Sequence, residues 1–291
     1  MRPGHRLAAL AAAAALFLHP AAAASSEASP GARPQRIMSM NMCTDLLLLQ
    51  LVPKARVASV TYLAHDAVAA TFPGADAGVP TNRGTAEDIL RFRPDLILAG
   101  DFSTPVTRRL AKRVGAPIVE VESVNDFEGI RRIVRQVGAA VGEPARAEAM
   151  VRDLDAKLAR LAAQPPERRL RVVAWSGGTS VPGKGTLSNA IIEAAGAVNI
   201  AAQPGANYGT FDVEQLLAAD PDALLFGGTR SGKPSLRSDE GKHRVVRRYY
   251  GDRRIAYKEL GHTCGLPQSA DAAVELRQAL DSLPPRTWRL K

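Results

Sequence analysis

The chain has 291 residues, 46% of them hydrophobic and 5% aromatic, and 38 Lys and Arg against 29 Asp and Glu give it a formal net charge of +9. That length gives room for two compact lobes with cores of their own. The excess of positive charge suits an anionic partner, whether nucleic acid, a membrane surface or an acidic ligand, and the first residues remove nucleic acid from that set.

Those residues place Arg2 and Arg6 before an apolar stretch, Leu7 to Leu18, and the small residues Ala21 to Ala24. The order is that of a secretory signal peptide over residues 1–24, with cleavage expected after Ala24. The alternative is an uncleaved anchor, but the apolar part is too short to span a bilayer permanently. No Cys stands just after it to take a lipid, and no later stretch reaches membrane-spanning length. A soluble, periplasmic protein is expected. Residues 25–35, small, polar and Pro-containing, read as a flexible leader.

Short β-rich runs then alternate with helix-patterned segments. The runs are Arg36–Met40, Arg56–Thr61, Leu96–Gly100 and Pro117–Val121, and the helical segments are Thr44–Leu51, Thr85–Phe92, Pro105–Val114 and Asn125–Val141. Strands alternating with helices predict βα units on a mainly parallel sheet, here an N-terminal α/β lobe over residues 36–142. Residues 143–164 are almost entirely strong helix formers, with Ala147, Met150, Val151, Leu154, Leu158 and Leu161 on one stripe. Pro165-Pro166 stops this helix, which at 1.5 Å per residue is about 30 Å long and able to link two lobes stiffly. The C-terminal lobe, residues 165–291, begins with a strand at Arg171–Trp175. It continues with helices at Thr186–Ala195 and Val213–Ala219, strands at Ala223–Gly227 and Ile255–Leu260, and a helix at Ala270–Leu283. The fold class is α/β, with two Rossmann-like lobes, parallel-type sheets and one long connecting helix.

The lobes echo each other. Glu87 to Gly100 and Glu214 to Gly227 each read Glu, short helix, Pro-Asp turn, apolar strand, Gly. The Pro-Asp pair ends each helix and turns the chain into the strand. Two such lobes face each other across a cleft at the C-terminal ends of their strands, the usual ligand position in open α/β sheets.

Four segments, RIMSMNMCTDLLLLQLVPKARVASVT, NRGTAEDILRFRPDLILAG, the connecting helix and FDVEQLLAADPDALLF, resemble the periplasmic binding proteins of ABC importers for iron-siderophores and vitamin B12. The resemblance runs from Arg36 to Leu283. It implies a two-lobed monomer without catalysis or an intrinsic cofactor. Such a protein captures a metal chelate, a cobalamin or ferric siderophore whose iron or cobalt belongs to the ligand, and delivers it to an ABC permease dimer in the inner membrane. It also implies docking to the permease through one Glu on each lobe, here Glu87 and Glu214. Both stand early in a helix, where a carboxylate suits the dipole, and an ordinary first-turn role is the alternative.

The cleft should then be lined by Cys43, Tyr62, His65 and Arg83 on one side and by Trp175, Lys184, Tyr208, Phe211, His262 and Cys264 on the other. In an oxidising compartment the two cysteines suggest a disulfide joining the lobes. Cys43, His65, His262 and Cys264 alternatively form a soft donor set for a metal, and unpaired thiols are a third state. That set keeps two other functions open, a binder of haem or a bare transition metal and an exported metal-dependent enzyme. Arg83 suits carboxylate, hydroxamate or phosphate oxygens, and Tyr62, Trp175, Tyr208 and Phe211 suit a flat ring, with core packing as the alternative for each. Gly178 to Gly185 imitates a phosphate-binding loop, but Gly185 stands where Ser or Thr would hold Mg²⁺. It reads as a cleft loop with Lys184 as an anion contact. The basic stretch 230–254 reads as a solvated insertion.

Overall fold

The structure, a computed structural model, describes residues 33–101, 105–113, 115–175, 180–204, 207–227, 243–257 and 259–287. The signal segment, most of the leader, Arg230, Lys233, Arg237 and Lys242 of the basic stretch, and the start of the phosphate-loop imitation lie outside them. Among the described residues no helix is long and apolar enough to cross a membrane.

The first lobe is built on five parallel strands, β1 (Ile37–Ser39), β2 (Val57–Thr61), β3 (Thr81–Asn82), β4 (Leu96–Gly100) and β5 (Ile118–Val121), in the order β3-β2-β1-β4-β5. Helices α1 (Met42–Leu51), α2 (Ala64–Thr71), α3 (Ala86–Phe92), α4 (Pro105–Arg113) and α5 (Phe127–Ala140) connect and flank them. Alternation along the strands divides the core. Ile37, Leu96 and Leu98 belong to one buried cluster, and Met38 and Ile97 to another with Ile89 and Ala111.

The second lobe repeats the plan with four parallel strands, β6 (Arg171–Ala174), β8 (Val198–Asn199), β10 (Ala223–Gly227) and β11 (Arg254–Tyr257), in the order β11-β10-β6-β8. It adds an antiparallel pair, β7 (Ser180–Pro182) with β9 (Tyr208–Thr210). Its helices include α7 (Leu187–Ala194), α8 (Val213–Ala219) and the final helix Gln268–Asp281.

Helix α6 (Pro144–Ala163) starts with Pro in its first turn, where no intrahelical N–H is lost. It buries Ala147, Val151, Leu154 and Leu161. Gly138 of α5 permits its close approach, since a Cβ there would lie 2.3 Å from that of Ala147. Lys157 of α6 bonds Asp153 and Asp271, each at 2.6 Å, and so ties the linker to the final helix. The largest apolar cluster is continuous from the leucines of α1 through α5 and α6 to Ile191 and Leu276.

Several local expectations are corrected. The segment Ile255–Leu260 is not strand throughout: the strand ends at Tyr257, and Glu259–Thr263 is a short helix. Arg244–Tyr250, within the basic stretch, is a helix that buries Val246 and Tyr250 rather than a solvated insertion. The end of the leader is held in place. Pro34 O accepts from Arg56 Nε at 2.8 Å, and Gln35 N donates to Asp95 at 2.6 Å.

Candidate functional site

The site grows from the first turn of α1. Asn41 caps the helix, its side chain accepting from Cys43 N at 2.9 Å. Gly100, at the end of β4, lets Asn41 sit close, because a Cβ there would lie 2.7 Å from its Nδ2. Cys43 then reaches across the molecule and forms a disulfide with Cys264, 221 residues later, with Cα atoms 5.2 Å apart. The seam continues beside it. Gly265 lies so near the first lobe that a Cβ would come within 2.0 Å of Val124 Cγ2, and Gln268 Nε2 donates to Gln50 Oε1 at 2.6 Å.

A cavity of about 480 Å³ opens along this seam. The strand ends and loops of the first lobe supply Met40, Met42, Tyr62, Leu63 and Arg83, and Thr263 and Gly265 close it from the second lobe. Tyr62 is 60% exposed and Leu63 45%, unusual for large apolar side chains in a packed protein. The Arg83 guanidinium has no hydrogen bond or ion pair among the described residues. The arrangement offers a largely apolar wall with sulfur and aromatic groups, with Glu122 and Ser123 among its polar lining and Arg83 at its rim.

Under the floor lies a buried polar layer. Asn82 donates to Ser39 O and Ser59 Oγ, and Ser39 Oγ shares a 2.7 Å bond with Thr44 Oγ1. Asp45 Oδ2 accepts from Thr61 N at 3.1 Å and from Thr61 Oγ1 at 2.5 Å, and Oδ1 has no partner. Burial pushes this carboxyl up to about 6 against the hydrogen bonds of Ser39 and Thr61 that favour its charge.

The expected lining assembles in part. Cys43, Tyr62 and Arg83 border the cavity, whereas His65, Trp175, Lys184, Tyr208, Phe211, His262 and Cys264 do not. Trp175 is fully buried, its Nε1 donating to Phe211 O at 3.0 Å, and Phe211 is buried beside it. These two rings are core of the second lobe, not a cleft wall. Tyr208 and Lys184 are exposed at the Pro182–Tyr208 end of the β7–β9 ladder.

The soft donor set does not form. The cysteines are oxidised to a disulfide, so neither offers a thiolate. His65 points outward and bonds Asp76 at 3.0 Å, which raises its pKa above 6.5. His262 is buried, with Nδ1 3.2 Å from Ser188 Oγ, its ring against Tyr257 and its pKa pushed down to about 4 by burial. No group of three or more His, Cys, Asp or Glu suited to a metal occurs among the described residues.

Sequence reasoning missed Met40, Met42, Leu63 and Thr263. The first two stand in the quoted run beside Cys43, and their position after a strand was the available signal. A larger cavity of about 580 Å³ lies between the end of α6 and the final helix, away from the strand ends. Three of its four cations, Lys157, Arg168 and Arg277, are held in structural contacts, Arg168 by donating to Leu283 O at 2.6 Å. Lys157 is paired with two aspartates, and Arg277 donates to the carbonyls of Ala195 and Gln164.

Glu87 and Glu214 are exposed at the second residue of α3 and α8, each inside a capping box, Thr85 with Asp88 and Asp212 with Gln215. Its own backbone N–H and the Thr85 hydroxyl hold Glu87 below the ordinary carboxylate range.

A family model described as periplasmic binding protein matches residues 44–248. A cobalamin-binding protein of Halobacterium salinarum is 24% identical over 199 residues, which are 67% of this chain and 54% of that relative. The match thus spans about half the length of the curated relatives. Among solved structures, the periplasmic heme-binding protein RhuT of Roseiflexus in its apo form superposes with a TM-score of 0.68 at 24% identity, covering 85% of this chain and 98% of that one. The heme-binding protein HutB of Vibrio cholerae gives 0.71 at 18% identity, with coverage of 84% and 98%. The vitamin B12-binding protein BtuF of the same organism gives 0.62 at 18%, with coverage of 85% and 97%. These likenesses show the two-lobed α/β fold.

Proposed function

The chain belongs to the periplasmic binding protein family, and from that premise we propose that it is the exported substrate-binding subunit of an ABC importer. Its cargo is a metal chelate, a cobalamin, a haem or a ferric siderophore, carried between the lobes. Proteins of this family bind solutes. The observation that carries the ligand class is the cavity at the seam, where thioether, aromatic and aliphatic groups outweigh the polar Asn41, Glu122 and Ser123 and meet the Arg83 guanidinium, which has no partner among the described residues. Such a wall suits a ligand with a broad apolar face and an anionic edge, the face desolvated on binding and the edge paired with Arg83. The iron or cobalt belongs to the ligand in this reading, in keeping with a described lining that has no thiolate or imidazole. The cobalamin-binding relative supports the same class.

Delivery follows from the outer face. Glu87 and Glu214 occupy equivalent, solvent-exposed places on the two lobes and suit basic pockets on the two halves of a permease dimer. Calorimetric titration of the oxidised protein with cyanocobalamin, haemin and a ferric hydroxamate tests the reading. One of the three binds with a single site, and absence of binding by all three overturns it. Replacing both glutamates by Ala leaves that binding intact and removes uptake by cells that depend on this carrier.

A further inference from the structure

Asp45 lies on α1 two residues beyond Cys43, fully buried yet bordering no solvent path to the cavity. A carboxylate in such a place is retained for what it holds. It holds Thr61, the last residue of β2, by both its amide and its hydroxyl. The chain leaves β2 directly into Tyr62 and Leu63, the two most exposed apolar side chains of the cavity, and then enters α2 at Ala64. Tyr62 N is anchored to Asn82 O at 2.9 Å. Asp45 thus fixes one end of the rim and Asn82 its middle.

We propose that Asp45 is a positioning residue for the ligand site, clamping the Thr61–Leu63 rim from below so that Tyr62 and Leu63 face the ligand in a fixed arrangement. The inference rests on the carrier reading for its consequence but not for its geometry. An ionised carboxylate accepts both Thr61 bonds with charge assistance, and a protonated one holds them less strongly. The clamp therefore loosens as acid protonates a group whose pKa burial has raised.

Among the described residues no other charge contributes to the shift of Asp45. Helix α1 packs on β1, β2, β4, α2 and α5. Those three strands carry no titratable side chain. Helix α2 carries His65 and Asp66 at the surface, and α5 carries Glu128, Arg131, Arg132 and Arg135. The three arginines are engaged with Glu128 and Asp155, with Glu122 and with Glu148 respectively. His65, whose pKa its bond to Asp76 raises, is separated from the effect by substitution.

The test follows the backbone amides of Thr61, Tyr62 and Leu63 by nitrogen–proton correlation spectra of the full ligand-free protein from pH 4.5 to 8. The three amides shift together with one midpoint near 6, keep that step in His65→Gln, and lose it in Asp45→Asn. Amides that do not titrate, or a step that survives Asp45→Asn, overturn the proposal. The second arm measures affinity for cyanocobalamin and haemin over the same range. Affinity for the probe that binds falls several-fold from pH 7.5 to 5 in the wild type, stays flat in Asp45→Asn, and is about tenfold lower at all pH values in a folded Asp45→Ala. A flat wild-type profile or an unchanged affinity in Asp45→Ala also overturns it. If neither probe binds, the same series is run with the ferric hydroxamate; if none of the three binds, the carrier reading fails, and the amide titration still decides the role of Asp45.

Discussion

The two halves of the repeat are alike in backbone and unlike in what they place beneath the cleft. Helices α3 and α8 both open with a capping box and close on a residue in the left-handed region, Arg93 and Asp220, each with φ of 43°. In both lobes the following aspartate, Asp95 or Asp222, accepts from the amide that starts the central strand, Arg36 or Arg171. Those two arginines also reach back to carbonyls at the end of the matching helix. One local design thus holds both sheets. Below the strand ends the lobes diverge. The first carries Ser39, Asp45, Ser59 and Asn82 as a buried polar layer, whereas the second, which also buries the bonded pair Asn189 and Asn199, adds Trp175, Phe211 and Tyr250 as an apolar block. The first lobe therefore supplies most of the cavity's lining, and the second adds an apolar core. Polar networks fix a site only when their partners are in place, whereas an apolar block gives stability without choosing a ligand.

The sharpest way to break this comparison is to cut the covalent tie between its halves. Cys43→Ser with Cys264→Ser removes a constraint closing a loop of 221 residues and lowers stability by about 5 kcal/mol on the chain-entropy account. Denaturant unfolding without reductant reads the loss, and an unchanged midpoint would mean that the seam is held by packing alone.

The second experiment uses the titrating groups, one buried in each lobe. Asp45, raised to about 6 from 3.8, favours the folded state fully below its ordinary value, and this contribution is lost as pH rises through 6. His262, lowered to about 4 from 6.5, contributes fully above 6.5 and loses it as pH falls through 4. The two oppose each other between pH 4 and 6, so the wild-type melting temperature is nearly level there. Asp45→Asn exposes the loss toward acid, and His262→Phe exposes the loss toward neutrality, each on the order of 3 kcal/mol. Identical profiles for the two variants would contradict the assignment.

A smaller effect sharpens the seam. Gly265→Ala forces Val124 to move and costs roughly 1–3 kcal/mol. It also lowers affinity for the ligand, because Gly265 lines the cavity.

The sequence disclosed the scaffold through features that act locally. Strand and helix periods, the Pro-Asp turns and the helix formers of 144–163 depend on near neighbours, and each produced the expected element. Where a decision depended on distant residues, the residue type was insufficient. Trp175 and Phe211 stand at strand ends like cleft aromatics, and packing with distant residues, among them Leu216, Leu224, Val246 and Tyr250, makes them core. Whether Cys43 meets Cys264 as a disulfide or a metal pair depends on how two halves of the chain approach, which no local pattern records. Asp45 reads as an ordinary first-turn carboxylate, and its burial arises from the packing of α1 on β1, β2 and β4. The helix Glu259–Thr263 was masked by the alternating pattern of the strand before it.

The central claim, that ligand binds at the seam on the first lobe's rim, is tested most directly by titrating cyanocobalamin and haemin into wild type, into Tyr62→Ala with Arg83→Ala, and into Trp175→Phe. The account predicts that the rim pair loses affinity by tenfold or more while keeping its melting temperature. Trp175→Phe loses stability from its broken bond to Phe211 O and keeps its affinity. Affinity that follows Trp175 and ignores Tyr62 and Arg83 would contradict it.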